Sequence, residues 1–311
     1  MKKVKVLISL TNNDNDYQIE QAAAAAAAAR QLGMEVEIIY AENDAITQSQ
    51  QLLKVIQSST GPRPDAIIFE PVGATALPQV ARAAAGAGIG WVVLNRDVDY
   101  LAELRRTYKV PLFAITSDHE EIGRIQGKQF AALLPKGGSA LYVQGPSESS
   151  AARQRTSGMY ETKPVDVQVK TLKAQWTETS AYKAVSAWLR LSTSREARID
   201  LIAAQDDSMA MGARKAIEEH LQGAERERWR KLPFLGCDGL PKTGQAWVQS
   251  GLLSGTVVVP PNTDVALDTL AKAVQHGLQP PERKLTVPRS FPAVEELGYR
   301  HGKAAGAAGN S

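Results

Sequence analysis

Short apolar, β-branched runs alternate along the chain with longer stretches whose apolar residues recur at helical spacing. The runs predict strands over 4–10, 35–40, 65–69, 91–95, 112–116, 139–144, 166–172, 199–203, 233–237 and 255–259. Between them the pattern predicts helices over about 18–32, 45–59, 77–87, 118–134, 150–161, 178–192, 207–222, 241–250 and 263–276. Ala66-Ile67-Ile68-Phe69 and Trp91-Val92-Val93-Leu94 are apolar throughout, as parallel strands buried on both faces require. Strict βα alternation implies an α/β fold of doubly wound sheets with right-handed crossovers. Eight consecutive alanines, Ala22 to Ala29, suit a helix packed closely on a sheet, since alanine combines the best helix propensity with no bulk.

Ten strands exceed what one small open sheet holds, so two sheets of five or six are expected. Breaks fall near Ile115-Thr116-Ser117-Asp118, Val259-Pro260-Pro261-Asn262 and Leu285-Thr286-Val287-Pro288. The length of 311 residues agrees with two lobes rather than one core. The Gly/Ala-rich stretch from Gly302 to Gly309 has no periodicity and reads as a loose tail.

Composition and charge narrow the function classes. A net charge of +3 is too small for a coat of phosphate-binding residues, so no nucleic-acid partner is expected for this chain. The basic cluster Arg226, Arg228, Arg230 and Lys231 alternates with Glu225 and Glu227 and reads as a solvated helix end. Cys237 is the only cysteine, which leaves no intrachain disulfide; it is either a small buried residue or a lone nucleophile, with burial favoured. No run reaches the roughly 20 apolar residues of a membrane helix. Met1-Lys2-Lys3 faintly resembles the start of a signal peptide, but Val6–Leu10 is too short for its apolar region and reads as the first strand. The chain is therefore expected to be cytoplasmic, or to have lost a cleaved signal.

Polar residues gather after the strands, where doubly wound sheets bind their ligands. Asn12, Asn13, Asp16 and Tyr17 follow the first strand, Glu70-Pro71 the third and Asn95-Arg96-Asp97 the fourth. In the second half come Ser147, Ser150 and Arg153, then Gln175-Trp176, Gln205-Asp206-Asp207 and Cys237-Asp238-Gly239. Paired carboxylates, amides and guanidinium forks match vicinal hydroxyls, which donate and accept together. Trp176 or Tyr17 could carry the C–H face of a sugar ring. Each Asp or Asn singly is also an ordinary helix N-cap; seven loops together favour a site.

Enzyme motifs fail one by one. Gly86-Ala87-Gly88-Ile89-Gly90 lies after a helix and before a strand, the wrong order for a dinucleotide turn. There is no P-loop and no Gly-x-Ser-x-Gly elbow. His119-Glu120-Glu121-Ile122-Gly123 lacks a second histidine, and four histidines in all argue against a His-rich metal site. Asp206-Asp207 could act as an acid/base pair, but binding plus capping accounts for both. The chain reads as non-catalytic, with no cofactor.

Taken in order, Ser9-Leu10-Thr11-Asn12-Asn13, Val93-Leu94-Asn95-Arg96-Asp97, Ser149-Ser150-Ala151-Ala152-Arg153-Gln154-Arg155, Ala204-Gln205-Asp206-Asp207-Ser208-Met209-Ala210-Met211-Gly212-Ala213 and Leu235-Gly236-Cys237-Asp238-Gly239 carry a family likeness. The chain resembles the type I periplasmic sugar-binding proteins, ribose-binding-like members above all, and the sensing core of lac-repressor-like regulators, over about residues 3–298. The resemblance implies two doubly wound parallel-sheet lobes joined by a three-stranded hinge, with a monosaccharide or polyol captured in the cleft. Residues 1–116 with 260–287 would form one lobe, 117–259 with 288–300 the other, and 301–311 a flexible tail. By resemblance the ligand-binding residues are Asn13, Asp16, Tyr17, Glu70, Asn95, Arg96, Arg153, Trp176, Asp206 and Asp238. Glu70 stands where the ribose pattern has a neutral amide, Asp16 where it has an aromatic, and Val259 or Pro260 where it has a polar residue. These departures point away from ribose toward a polyol, a larger sugar or an amine-bearing ligand. The implied role is the monomeric, periplasmic solute receptor of an ABC importer, its partners a small sugar or polyol and a membrane permease. The alternatives are a cytoplasmic regulator core or a sensor for a membrane receptor kinase.

Overall fold

The computed structural model describes residues 3–59, 61–73, 76–277 and 279–299; the expected tail, 301–311, lies outside them. The strands are β1 (Lys5–Leu10), β2 (Glu35–Tyr40), β3 (Ala66–Phe69), β4 (Gly90–Leu94), β5 (Leu112–Ser117), β6 (Gly138–Gln144), β7 (Val167–Lys173), β8 (Leu201–Ala204), β9 (Phe234–Leu235), β10 (Thr256–Val258), β11 (Arg283–Thr286) and β12 (Arg289–Phe291). Between them run α1 (Asp16–Leu32), α2 (Ala45–Ile56), α3 (Pro78–Gly86), α4 (Leu101–Thr107), α5 (His119–Leu133), α6 (Ser150–Thr162), α7 (Glu178–Leu189), α8 (Ser192–Glu196), α9 (Asp207–His220), α10 (Gly223–Arg230), α11 (Gly244–Gln249) and α12 (Thr263–His276). The chain divides into two units: Met1–Ser117 with Pro260–Thr286, and Asp118–Val259 with the described residues from Val287 on.

In the first unit six parallel strands lie in the order β11-β5-β4-β3-β1-β2. Side chains alternate across a strand, so each strand feeds two cores. Leu7, Ile67, Phe69, Trp91 and Val93 face α2, α3 and α4, and the rings of Phe69 and Trp91 lie 4.5 Å apart. Val6, Ile8, Ile68, Val92 and Phe113 face the other way, toward Ala25, Ala28 and Ala29 of α1 and Leu267 and Leu270 of α12. The polyalanine run thus gives a slim helix that lies close to the sheet. Strand order reverses between β1 and β3, which opens a crevice at their carboxyl ends.

The second unit repeats the plan with four parallel strands, β7-β6-β8-β9, reversing between β6 and β8. Leu141, Val143, Ile202 and Phe234 pack under α7 and α9; Ala140, Tyr142, Leu201 and Leu235 pack under α5 and Met159 of α6. Here the expectation of five or six strands is corrected. The run at 255–259 forms no continuous ladder with the parallel sheet. Its β10 pairs antiparallel with β12 and lies beside the end of β9 through the parallel bridges Leu235–Gly255 and Asp238–Val258 and backbone hydrogen bonds such as Ser254 N to the Phe234 carbonyl at 2.7 Å. The reason lies just after β9. Asp238 and Gly239 take left-handed φ of 99° and 56°, which turns the backbone out of ladder geometry. Also unanticipated are β11, β12, α4 and α8, while α10 was read only as a solvated helix end around Arg226–Lys231.

Candidate functional site

At the carboxyl ends of β1, β3 and β4 the first unit holds a buried polar network centred on Glu70. Its Oε2 accepts from Gln18 Nε2 at 2.9 Å and Asn95 Nδ2 at 3.3 Å. Its Oε1 sits 3.7 Å from the Arg96 guanidinium. Arg96 in turn donates through Nη1 to the Asn95 carbonyl at 2.7 Å. Asn95 holds a left-handed φ of 56°, a conformation asparagine tolerates better than most residues. That turn brings its side chain back over the sheet, where Oδ1 accepts from Ser117 Oγ at 3.4 Å and from Asn262 Nδ2. Asn262 Oδ1 accepts from Thr286 Oγ1 at 2.8 Å. Asn262, fully buried, was not singled out in the sequence; its place directly after the two prolines was the available signal.

The loop after β1 sorts its residues by role. Asn12 is structural: its Oδ1 accepts from the backbone N–H groups of Asp14 and Asn15 at 3.3 and 3.0 Å. Asn15 caps α1 through Tyr17 N and Gln18 N. Tyr17 is buried, and its hydroxyl donates to the Pro260 carbonyl at 3.1 Å. Asn13 is exposed. Asp16 is half-buried in the first turn of α1, and burial raises its carboxyl above the ordinary range.

In the second unit the expected residues fall in two settings. Arg153 is exposed and its Nη1 donates to the carbonyls of Ser147 and Glu148, at 3.0 and 2.8 Å, within its own loop. Arg155, two residues on, is buried. It donates to the Gln205 carbonyl and, at 3.4 Å, to His119 Nδ1; its Nη2 lies 4.0 Å from Asp238 Oδ1. Its guanidinium also lies 5.5 Å from the Trp176 ring centroid. Trp176, half-buried at a left-handed φ of 59°, lays its indole across Gly145, where a β-carbon would run into the ring. Arg155 therefore gathers Trp176 and Asp238, and it was missed as a site residue.

Asp206 is buried and caps α9, its Oδ1 accepting from Met209 N at 2.5 Å. Its neighbour Asp207 clamps the Asp238 loop: Oδ2 accepts from Gly239 N and Oδ1 from Thr256 Oγ1, both at 2.7 Å. Gln205 is likewise structural, accepting from Gly145 N at 2.9 Å and donating to Tyr142 Oη at 3.0 Å. Cys237 is buried, and burial pushes its thiol well up, the wrong direction for a nucleophile. Among the described residues no three His, Cys, Asp or Glu side chains converge to hold a metal ion, and no helix is long and apolar enough to cross a membrane.

Comparison with known proteins agrees with this architecture. Residues 6–277 match the periplasmic binding protein domain family. The ribose import binding protein RbsB of Bacillus subtilis is 26% identical over 81% of this chain and 77% of its own length. A xylitol-binding protein of Mycolicibacterium smegmatis is 29% identical over 71% of this chain. The match spans 58% of that relative, less than two thirds of its length. A periplasmic solute-binding protein of an ABC transporter from Actinobacillus succinogenes, solved with D-allose, shares the fold at a TM-score of 0.80. It is 21% identical, over 95% of this chain and 99% of its own.

Proposed function

The chain belongs to the family of periplasmic binding protein domains, and on that premise we propose that it captures a monosaccharide or polyol for an ABC importer without chemical turnover. The observation that carries this reading is the Glu70–Asn95–Arg96 network at the strand-order reversal of the first unit. It offers paired acceptors and a guanidinium fork, a set suited to a ligand whose hydroxyls both donate and accept. The ribose- and xylitol-binding relatives support that ligand class. We assign Asn13, Asp16, Tyr17, Glu70, Asn95 and Arg96 of the first unit, and Arg153, Trp176, Asp206 and Asp238 of the second, to ligand binding. The same reading makes the protein a periplasmic monomer with a membrane permease as partner. Titration calorimetry against sugars, polyols, amino acids and short peptides tests it. Saturable heat from a polyhydroxylated compound, with the compound recovered intact, is expected; binding confined to amino acids or peptides would overturn the reading.

Arg96→Ala is expected to weaken ligand binding at least about tenfold, since a charge-assisted pair of hydrogen bonds in a desolvated site is worth about 1.5–3 kcal/mol. Calorimetry on the variant measures it, and unchanged affinity with an unchanged melting temperature would move the site elsewhere. Trp176 is expected to report binding through fluorescence. Its indole is half-buried, whereas Trp91, Trp188 and Trp229 are buried in cores. Trp176→Phe should remove most of the ligand-induced signal; a full signal in that variant would assign the reporter to another tryptophan.

A further inference from the structure

Asn262 stands at the N-cap position of α12, yet its side chain caps nothing. Asparagine at that position ordinarily turns back onto the backbone N–H groups of the first turn. Here Gln21 of α1 takes that part: its Oε1 accepts from Asn262 N at 2.7 Å and from Thr263 N at 3.1 Å. The Gln21 carbonyl also accepts from the Thr263 hydroxyl at 2.7 Å. The Asn262 side chain is thereby released from holding its own helix. It is fully buried and reaches two other groups, Asn95 Oδ1 and the Thr286 hydroxyl.

These bonds have a direction. An amide accepts on one side and donates on the other, so its neighbours decide which way it faces. The Glu70 carboxylate only accepts, and it therefore requires the Nδ2 side of Asn95, at 3.3 Å from Oε2. That choice turns Asn95 Oδ1 toward Ser117 and Asn262. Asn262 must then offer Nδ2 to Asn95, which leaves its Oδ1 facing Thr286, and the Thr286 hydroxyl supplies the donor at 2.8 Å. Glu70, Asn95, Ser117, Asn262 and Thr286 are all buried, so a broken link leaves a polar group without compensation. Ser117 and Thr286 are the last residues of the two segments that build this unit, and Asn262 lies near the start of the second. Resting on the polyol-receptor reading above, we propose that Asn262 and Thr286 are positioning residues of the binding site. Through this relay they hold the Asn95 amide, and with it the Glu70 carboxylate, in the orientation that receives a ligand hydroxyl. An inverted Asn95 would set oxygen against oxygen at Glu70.

Thr286→Val keeps the shape of the side chain and removes the donor; Thr286→Ser keeps the donor and removes a methyl group. Calorimetry on the intact chain with D-ribose, xylitol, D-allose and myo-inositol compares them. For whichever of these the unmodified chain binds, Thr286→Val should raise Kd about tenfold and Thr286→Ser by less than about threefold. A merely structural role would make affinity follow the melting temperature in both variants; here it should follow the hydroxyl. Asn262→Ala should also raise Kd about tenfold, and adding Thr286→Val to it should bring no further loss, since links in series break once. If Thr286→Val fails to fold, Asn262→Ala carries the affinity test. Isotope-labelled asparagine lets NMR read the relay in the ligand-free protein. Thr286→Val should shift the side-chain amide signals of Asn262 and of Asn95, two links away, and Thr286→Ser should leave those of Asn95 in place. Unmoved Asn95 signals in Thr286→Val, or equal losses of affinity in the valine and serine variants, overturn the positioning role and leave the polyol reading standing. Absence of binding by the unmodified chain defeats the polyol reading itself, while the amide signals still decide the relay.

Discussion

Arg155→Leu is expected to cost about 3–5 kcal/mol of stability, while Arg153→Ala, two residues away, should change it by no more than about 0.5 kcal/mol. The difference follows from what each guanidinium touches. Arg153 is exposed and satisfies carbonyls that water could reach. Arg155 is buried and joins four segments of its unit: α6 that bears it, the end of β8 at Gln205, the start of α5 at His119, and the loop at Asp238. Burial works against its charge, but the neighbouring carboxylates of Asp238 and Asp206 favour it, and the guanidinium stays protonated. Leucine would fill part of the volume and leave the Gln205 carbonyl and His119 without their donor. Urea denaturation followed by tryptophan fluorescence reads the effect, since Trp176, Trp188, Trp229 and Trp247 all lie in this unit. A loss below about 1 kcal/mol would mean that the desolvation cost of the native guanidinium nearly cancels its bonds. In binding the order should reverse if Arg153 meets the ligand: Arg153→Ala would then lower affinity with the fold intact.

The pair also shows how far the sequence could be read. Arg153-Gln154-Arg155 was identified as part of a telling motif, and the resemblance pointed to Arg153. Residues two apart on a helix point nearly opposite ways, so one faces in and the other out. The signal that Arg155 faces in was present: buried Ala151, Ala152, Gly158 and Met159 form a stripe, and Arg155 falls in its centre. A charged residue in an apolar stripe is easily passed over. The strands with uniform apolar runs, such as β3 and β4, were legible to within a residue or so because burial on both faces leaves little choice of side chain. By contrast β11, Arg-Lys-Leu-Thr, is an edge strand whose first three residues are exposed, and an exposed edge imposes no apolar pattern. The helix α10 is similar: of Gly223–Arg230 only Trp229 is buried, so no stripe marks it. At the site, the loops were legible as polar clusters, but their division of labour was not. Asn12, Gln205 and Asp207 brace the backbone while Glu70 and Arg96 face one another as a charged pair. That division depends on which backbone N–H each side chain reaches, which spacing alone does not encode.

A second large effect is expected where α5 and α6 meet. A β-carbon on Gly123 would run into the Arg155 carbonyl and stand 2.8 Å from Met159 N. One on Gly158 would run into the Glu120 carbonyl and stand 2.9 Å from Arg124 N. In both cases the obstacle is backbone, which no rotamer change can clear. Considered as a helix alone, either segment would gain about 1 kcal/mol from Gly→Ala. The tertiary clash acts against that gain and should win, because relief requires the two helices to separate. Gly123→Ala and Gly158→Ala are each expected to lose about 1–3 kcal/mol net in urea denaturation. Separation caused by the first substitution makes room for the second, so the double variant should lose less than the sum of the two. The same shift would displace α6, and with it Arg153 and the Arg155 hub beneath Trp176 and Asp238. Ligand affinity should therefore fall along with stability, although neither glycine lies among the residues assigned to the ligand. Two stabilised single variants would show that the helices part without strain, and full additivity would show that the two contacts yield independently.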